Sequence, residues 1–372
     1  MSIITLNHKQ VVEAVQAVGP YRTVLIEGEH GVGKSAIYGQ LKTLPSFSKF
    51  LCLERPIDCT QLSDGSIWMP QVDKDKGVSR ELPNERFGLH SGNRKGVNGS
   101  RPVFMMLDEI AKVPQYVKNM LAPLVYEHRI GDFIAPEGSI IIAATNLSDE
   151  GLGDTLPAHI RDRLLLIRMR KPTQPEWCNW AIDEELHPNI IAFVKLNPKV
   201  MDSFLDYEPG GEFAGKDLAR DNPYIFNPRA MQLSSASPRS LHAVSDVLFN
   251  ARGLDDSTLE ALIVGAVGEP TGKDIMAMLA FQSEVTDWDD VMTRPDTAKI
   301  PKSDIGQIMQ AYMFISRTKQ RDEAEKVLKF TRRMGGEPQS VFIHAMARST
   351  RISTFATVKG MAEMLQEHRI YL

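Results

Sequence analysis

Cysteine is scarce. The 372 residues hold three, Cys52, Cys59 and Cys178. An odd count without metal-type pairing excludes a disulfide scaffold and a zinc finger. No apolar run approaches the roughly 18 residues of a membrane span, so no membrane partner is expected. Neither sign of charge dominates: 43 Lys and Arg stand against 47 Asp and Glu, for a net charge of −4. That balance excludes a globally basic DNA-coating protein and an acidic disordered tail. The segment MSIITLNHKQ lacks the basic-then-apolar layout of a secretory signal, which points to a cytoplasmic protein. Internal repeats and low-complexity tracts are missing as well. What remains is ordinary globular usage, 42% hydrophobic and 24% charged, over a length that suggests two or three domains.

The first half alternates short apolar runs with helical patterns. Asn7 can cap a helix whose Val11, Val12, Val15 and Val18 recur at helical spacing. TVLIE (23–27), 50–53, VFMML (103–107), SIIIAAT (139–145) and LLLIRM (164–169) read as strands, with helices over 34–44 and 113–126. Continuous apolar strands separated by helices imply an α/β fold, a parallel sheet covered on both faces. Residues 71–101 break this pattern with five glycines and with seven Lys and Arg against four Asp and Glu. They read as a long exposed insertion, either a disordered loop or a contact loop. After KPTQP (171–175) the pattern turns helical. Helices are expected over 173–186, 188–195, 237–251, 256–267, 271–284, 303–318, 320–334, 338–349 and 352–368, with a loop over 207–230. A linker is expected from Trp288 to Pro301. The domains expected are 1–171 (α/β), 172–287 (helical) and 288–372 (a C-terminal helical region).

The segment GEHGVGKS (28–35) matches G-x-x-x-x-G-K-[ST] between an expected strand and an expected helix. Gly28, Gly31 and Gly33 let the backbone turn tightly and approach phosphate oxygens. Main-chain amides from Gly28, Glu29, His30, Gly31, Val32 and Gly33 through to Ala36 then meet the helix N-terminus, a region of positive potential. Lys34 supplies a point charge for the β- and γ-phosphates, and Ser35 a hydroxyl for Mg²⁺. VFMMLDEI (103–110) ends a strand in two carboxylates, at the edge where open α/β sheets bind ligands. There Asp108 is placed to hold Mg²⁺ and Glu109 to act as general base toward water. Asn146 follows the next apolar strand, where its amide could reach a γ-phosphate or a lytic water; a turn-forming Asn is the plainer alternative. Arg161 and Arg163 precede the last strand. Either could reach a neighbouring subunit's phosphate, but spacing alone favours surface arginines paired with Asp154 or Asp162. Ser237 can cap a helix with Pro238 at its first position, which puts Arg239 in the first turn; Arg229 competes with Arg239 as a reporter of nucleotide state.

In this order the signals resemble the AAA+ ATPases, and the wording is most similar to their MoxR group over about residues 1–285. ATN after the fourth strand, LP…DRLLL, SPR opening a helix, and EELHPNIIAFVKLNP (184–198) carry that resemblance. His30 departs from it, at a loop position where the group often has Pro. The resemblance implies a P-loop sheet followed by an all-α lid, with Lys34 and Ser35 as the Walker A pair. Asp108 and Glu109 would be Walker B, Glu109 being catalytic, with Asn146 as sensor 1. Arg163 would be the arginine finger with Arg161 as substitute, and Arg239 sensor 2. It further implies ATP and Mg²⁺ as ligands and a homo-oligomeric ring, commonly a hexamer. The client would be a protein, often beside a partner with a von Willebrand factor A domain. Two other readings compete. A nucleic-acid-linked motor or loader draws on the net basic insertion and on the basic helix over 317–333. A non-hydrolysing scaffold is opposed by the presence of Glu109.

Overall fold

The computed structural model describes residues 4–89, 101–147 and 156–368. It divides into two compact units, Met1–Lys171 and Pro172–Leu372.

The first unit is built on a parallel sheet. In chain order its strands are β1 (Thr5–Leu6), β2 (Val24–Glu27), β3 (Leu51–Cys52) and β4 (Ile57–Asp58). A hairpin of β5 (Trp68–Asp73) and β6 (Val78–Pro83) comes next, then β7 (Val103–Asp108). A two-residue ribbon of β8 (Arg129–Ile130) and β9 (Phe133–Ile134) precedes β10 (Ile140–Thr145) and β11 (Leu165–Met169). The sheet runs β1-β11-β2-β10-β7-β3, with β4 also paired to β7, and every pairing in it is parallel.

Successive side chains of a strand face opposite ways, so an all-apolar strand needs cover on both sides. Leu25, Met105, Leu107, Ile141 and Ala143 enter one core. Val24, Ile26, Phe104, Met106, Ile142 and Ala144 enter the other. Helices α1 (His8–Val18) and α2 (Lys34–Thr43) contribute Val11, Val15, Ile37 and Leu41 to the second core. On the first face, α3 (Asp64–Ile67) and α4 (Gln115–Glu127) contribute Ile67, Val117 and Leu121. Asn7 caps α1 in a reciprocal capping box with Gln10. A short α5 (Ala158–Arg161) leads into β11.

The described part of the insertion, 71–89, is ordered chain. The β5–β6 hairpin pairs Trp68 with Pro83 through Asp73 with Val78, and Gly77 turns it at φ +63°. Its base is tied to the β8–β9 turn, since the Glu81 amide donates to the Asp132 carboxylate at 2.9 Å and the Asp132 amide donates to the Glu81 carbonyl at 3.1 Å. Residues 90–100 of the insertion, and Asp154, lie outside the described residues.

The second unit is all-helical: α6 (Gln174–Asp183), α7 (Pro188–Leu196), α8 (Leu218–Asp221), α9 (Pro238–Phe249), α10 (Asp256–Val267) and α11 (Glu269–Leu279), then α12 (Trp288–Thr293), α13 (Asp304–Arg317), α14 (Arg321–Thr331), α15 (Gly336–Ala347), α16 (Ile352–Phe355) and α17 (Met361–Glu367). One hydrophobic core runs from Trp177 to Leu365, across the expected 287/288 boundary. Two expectations are corrected here. The stretch 288–301 is no linker, because Asp287 caps α12 and both Val291 and Ala298 are buried in the core. The last helix is two, parted at Gly360, whose φ of +86° a helix cannot hold. No helix among the described residues is long and apolar enough to cross a membrane.

Candidate functional site

The order of the central strands decides what can meet. β10 lies between β2 and β7, with Thr145 in register with Glu27 and Ala143 with Leu107. The segments leaving these three strands are 28–35, 108–110 and 146–147. They therefore emerge side by side at the C-terminal edge of the sheet, with Asn146 in the middle.

The loop 28–33 is shaped by its glycines. A Cβ on Gly28 would sit 2.7 Å from the Met169 carbonyl oxygen, so the loop can pass β11 only without a side chain there. Gly31 and Gly33 take φ of +70° and +98°, and Gly33 forms the left-handed N-cap of α2. Val32 is buried and anchors the loop in the core. Lys34 is 6% exposed, a large burden for a cation unless it is fully bonded. Its Nζ donates to the carbonyls of Gly28 at 2.8 Å and Glu29 at 2.7 Å, and to Asn146 Oδ1 at 2.7 Å.

The carboxylates stand opposite. Ser35 Oγ donates to Asp108 Oδ2 at 2.5 Å, joining the start of α2 to the end of β7. Asp108 Oδ1 accepts the Glu109 amide at 3.0 Å. Glu109 itself sits at φ +55°, a strained conformation for a residue with a side chain. Its Oε1 meets Asn146 Nδ2 at 3.4 Å and Lys112 Nζ at 3.0 Å. Its Oε2 is buried and meets no protein donor. A buried carboxylate oxygen without a donor is costly and marks a site whose side chains are not arranged for stability alone. Nearby, burial and then the charges of Asp108, Asp58 and Glu109 push the Cys59 thiol well above its ordinary range. That marks a concentration of negative potential at these strand ends.

This donor set suits Mg²⁺. The ion keeps several waters and takes one or two protein oxygens beside phosphate oxygens, so Ser35 and Asp108 are enough on the protein side. Among the described residues no group of three or more His, Cys, Asp or Glu could hold a metal by itself. Glycine-shaped backbone and a buried lysine suit phosphate oxygens in the same way.

The remaining candidates are divided between the two units. Arg161 ends α5 and Arg163 follows it, both exposed on the first unit, and Arg163 places its guanidinium 4.2 Å from the Tyr126 ring centroid. Arg239 is exposed in the first turn of α9 in the second unit, where Ser237 caps that helix. Its competitor Arg229 is engaged, with both Glu208 carboxylate oxygens within 2.8 Å of one guanidinium nitrogen. Two residues went unread in the sequence. Lys112 is signalled only by its position three after Glu109. Asp58 is placed beside Asp108 by the β4–β7 pairing, which no local pattern announces.

No family model matches the chain, and no curated protein matches it. Solved structures with a similar backbone course include NtrX from Brucella abortus in complex with ADP, with a TM-score of 0.38 and 12% identity over 100% of this chain and 70% of that one. NtrX in complex with ATP gives a TM-score of 0.37 and 12% identity over the same shares. A further NtrX structure gives 0.38 and 14% over 97% and 69%.

Proposed function

We propose that this chain is a Mg²⁺-dependent ATPase of the AAA+ type, working as a homo-oligomeric ring on a macromolecular client. One observation carries the reading. Lys34, Asn146 and Glu109 form a continuous hydrogen-bonded chain beside the Ser35–Asp108 contact, drawing three sequence-distant segments to one sheet edge. In this reading the 28–36 backbone grips the phosphates and Lys34 neutralises their charge. Ser35 and Asp108 hold the ion, which when bound screens the phosphate oxygens. Glu109 is the general base toward water, and Asn146 holds Lys34 and Glu109 in register. Arg163, or Arg161 in its place, is the arginine offered to a neighbouring subunit, commonly around a hexamer; Arg239 reports nucleotide state.

The client is the finer question. Met69, Val72 and Val78 on the β5–β6 hairpin are 61%, 66% and 46% exposed, which suits an apolar protein surface and a MoxR-like remodelling role. The exposed Lys74 and Arg80 of the same hairpin give the nucleic-acid-linked reading its footing. Around α14 some of the basic residues are engaged: Arg321 with Glu325, Arg332 with Glu363, and Arg333 with the carbonyls of Pro295 and Ala298. A turnover assay with Glu109→Gln as its blank tests the activity. Salt-sensitive stimulation by DNA then supports the nucleic-acid client, and capture of a protein partner by the Glu109→Gln ring, a von Willebrand factor A protein included, supports remodelling.

A further inference from the structure

Within the helical unit, α6, α7, α13 and α15 line an open cleft of about 420 Å³ that the nucleotide reading does not use. Three basic residues line it: Lys195 from the last turn of α7, His344 from the last turn of α15, and Arg348 at the C-cap of that helix. Gln174 and Asn179 bring side-chain amides from α6, and the floor includes the buried Tyr312. One carboxylate, Glu337, lies on the wall.

Several cations of the unit are neutralised by a carboxylate. Lys319 and Arg351 pair with Glu185, Arg294 with Asp290, and Lys273 with Glu269. Among the described residues, Lys195 and Arg348 take part in no ion pair, although they border the same concave space. Like charges gathered along one cleft repel one another, and an anion placed among them reverses that cost. Two long cations and two side-chain amides supply several donors for a multi-oxygen anion.

We propose that this cleft binds a small multi-oxygen anion of metabolite size, a phosphate monoester or a polycarboxylate, with Lys195 and Arg348 as its charge partners and His344 as a third, pH-dependent donor. The geometry has a consequence for His344. Its pKa sits below the ordinary value, first from partial burial and then from the charges of Arg348 on the same helix, His368 at the end of α17, and Lys195 on α7. The other groups facing it are Ser340, which is bonded to His368, the carboxylate of Glu337, and the neutral amides of α6. A bound anion opposes that repulsion and raises the His344 pKa. By linkage the anion binds more tightly as pH falls through the histidine range.

The test is NMR of the full chain with isotope-labelled histidine, titrated at fixed ionic strength with inorganic phosphate, then citrate, against chloride. The expected result is a saturable rise of about one unit in the His344 pKa, equivalent to about tenfold tighter binding to the protonated state. His128 and His187 stay unmoved, and the shift is lost in the Lys195→Gln/Arg348→Gln variant. A response to phosphate alone assigns the phosphorylated source; a response to citrate alone assigns the carboxylate source. Thermal unfolding checks that the double variant folds, and if it does not, calorimetric binding of the same anions to His344→Gln, weaker and less pH-dependent than to the parent, takes its place. No response beyond chloride, or an equal response in the variant, overturns the proposal.

Discussion

Replacing Gly28 by alanine tests whether the loop's path is dictated by its approach to β11. A Cβ there would lie 2.7 Å from the Met169 carbonyl oxygen and 3.4 Å from Val32 Cγ2. The first is a backbone atom held in the sheet, so the loop must move rather than the neighbour. Forcing one extra carbon into such a place costs about 1–3 kcal/mol. In a unit of this size that lowers the melting temperature by roughly 2–12 °C. Gly39 is the internal control. It lies mid-helix in α2 with nothing within 4 Å of a built Cβ. There alanine should add up to about 1 kcal/mol of stability, because it has less backbone freedom to lose. Thermal unfolding followed by circular dichroism reads both changes, and nucleotide titration reads the displaced loop. A Gly28→Ala variant that melts with the parent and binds nucleotide as well, or two alanines that act in the same direction, would refute a steric origin for the loop's path.

Three further outcomes follow from the geometry. Glu109→Gln should retain nucleotide binding while turnover falls by about 10²–10⁴, the usual share of a general base; unchanged steady-state hydrolysis would remove Glu109 from the chemistry. Arg163→Ala should leave nucleotide affinity intact and lower turnover by about 10³ or more, and if Arg161→Ala shows that loss instead, the finger is Arg161. The third concerns pH. Burial holds His187 down at about 4. Its Nδ1 accepts the Asn189 amide and its ring meets Phe249 edge-on. A histidine with a depressed folded pKa favours the native state fully above the unfolded value of about 6.5, and that stability is lost as pH falls toward 4. The loss should reach about 2 kcal/mol after allowance for the ring's partial exposure. Denaturant unfolding at pH 7 and pH 4.5 measures it, and His187→Asn, which keeps a capping side chain, should flatten the dependence.

What the sequence reveals and what it hides divide along physical lines. The central strands announce themselves because both faces are buried, so Val24–Ile26, Val103–Leu107 and Ile140–Ala144 are unbroken apolar runs. Asn7 and Ser237 are legible because a cap is a local bargain between neighbours in the chain. The β5–β6 hairpin is not legible. Most of its side chains face solvent, Pro70 sits within a strand, and its pairing leaves no apolar alternation to read. β1 and β4 have two residues each and exist through their neighbours β11 and β7. α12 is hidden by its acidic surface, since its one fully buried side chain is Val291. At the candidate site, the glycine-rich loop 28–35 and the Asp-Glu pair are visible as motifs. The bonds that connect them through Lys34, Asn146 and Lys112 depend on strand order, which no local pattern encodes.

The most direct measurement is equilibrium binding of MgATP to the purified chain and to Lys34→Ala, by calorimetry or a fluorescent analogue. Removing the buried ammonium deprives the loop carbonyls and Asn146 of their shared donor and, in the proposed function, the phosphates of a side-chain cation, a loss of about 1–3 kcal/mol. The account predicts saturable, magnesium-dependent binding by the parent and an affinity lower by about 10- to 100-fold in the variant. A parent chain that ignores MgATP, or a variant that binds it equally well, would contradict it.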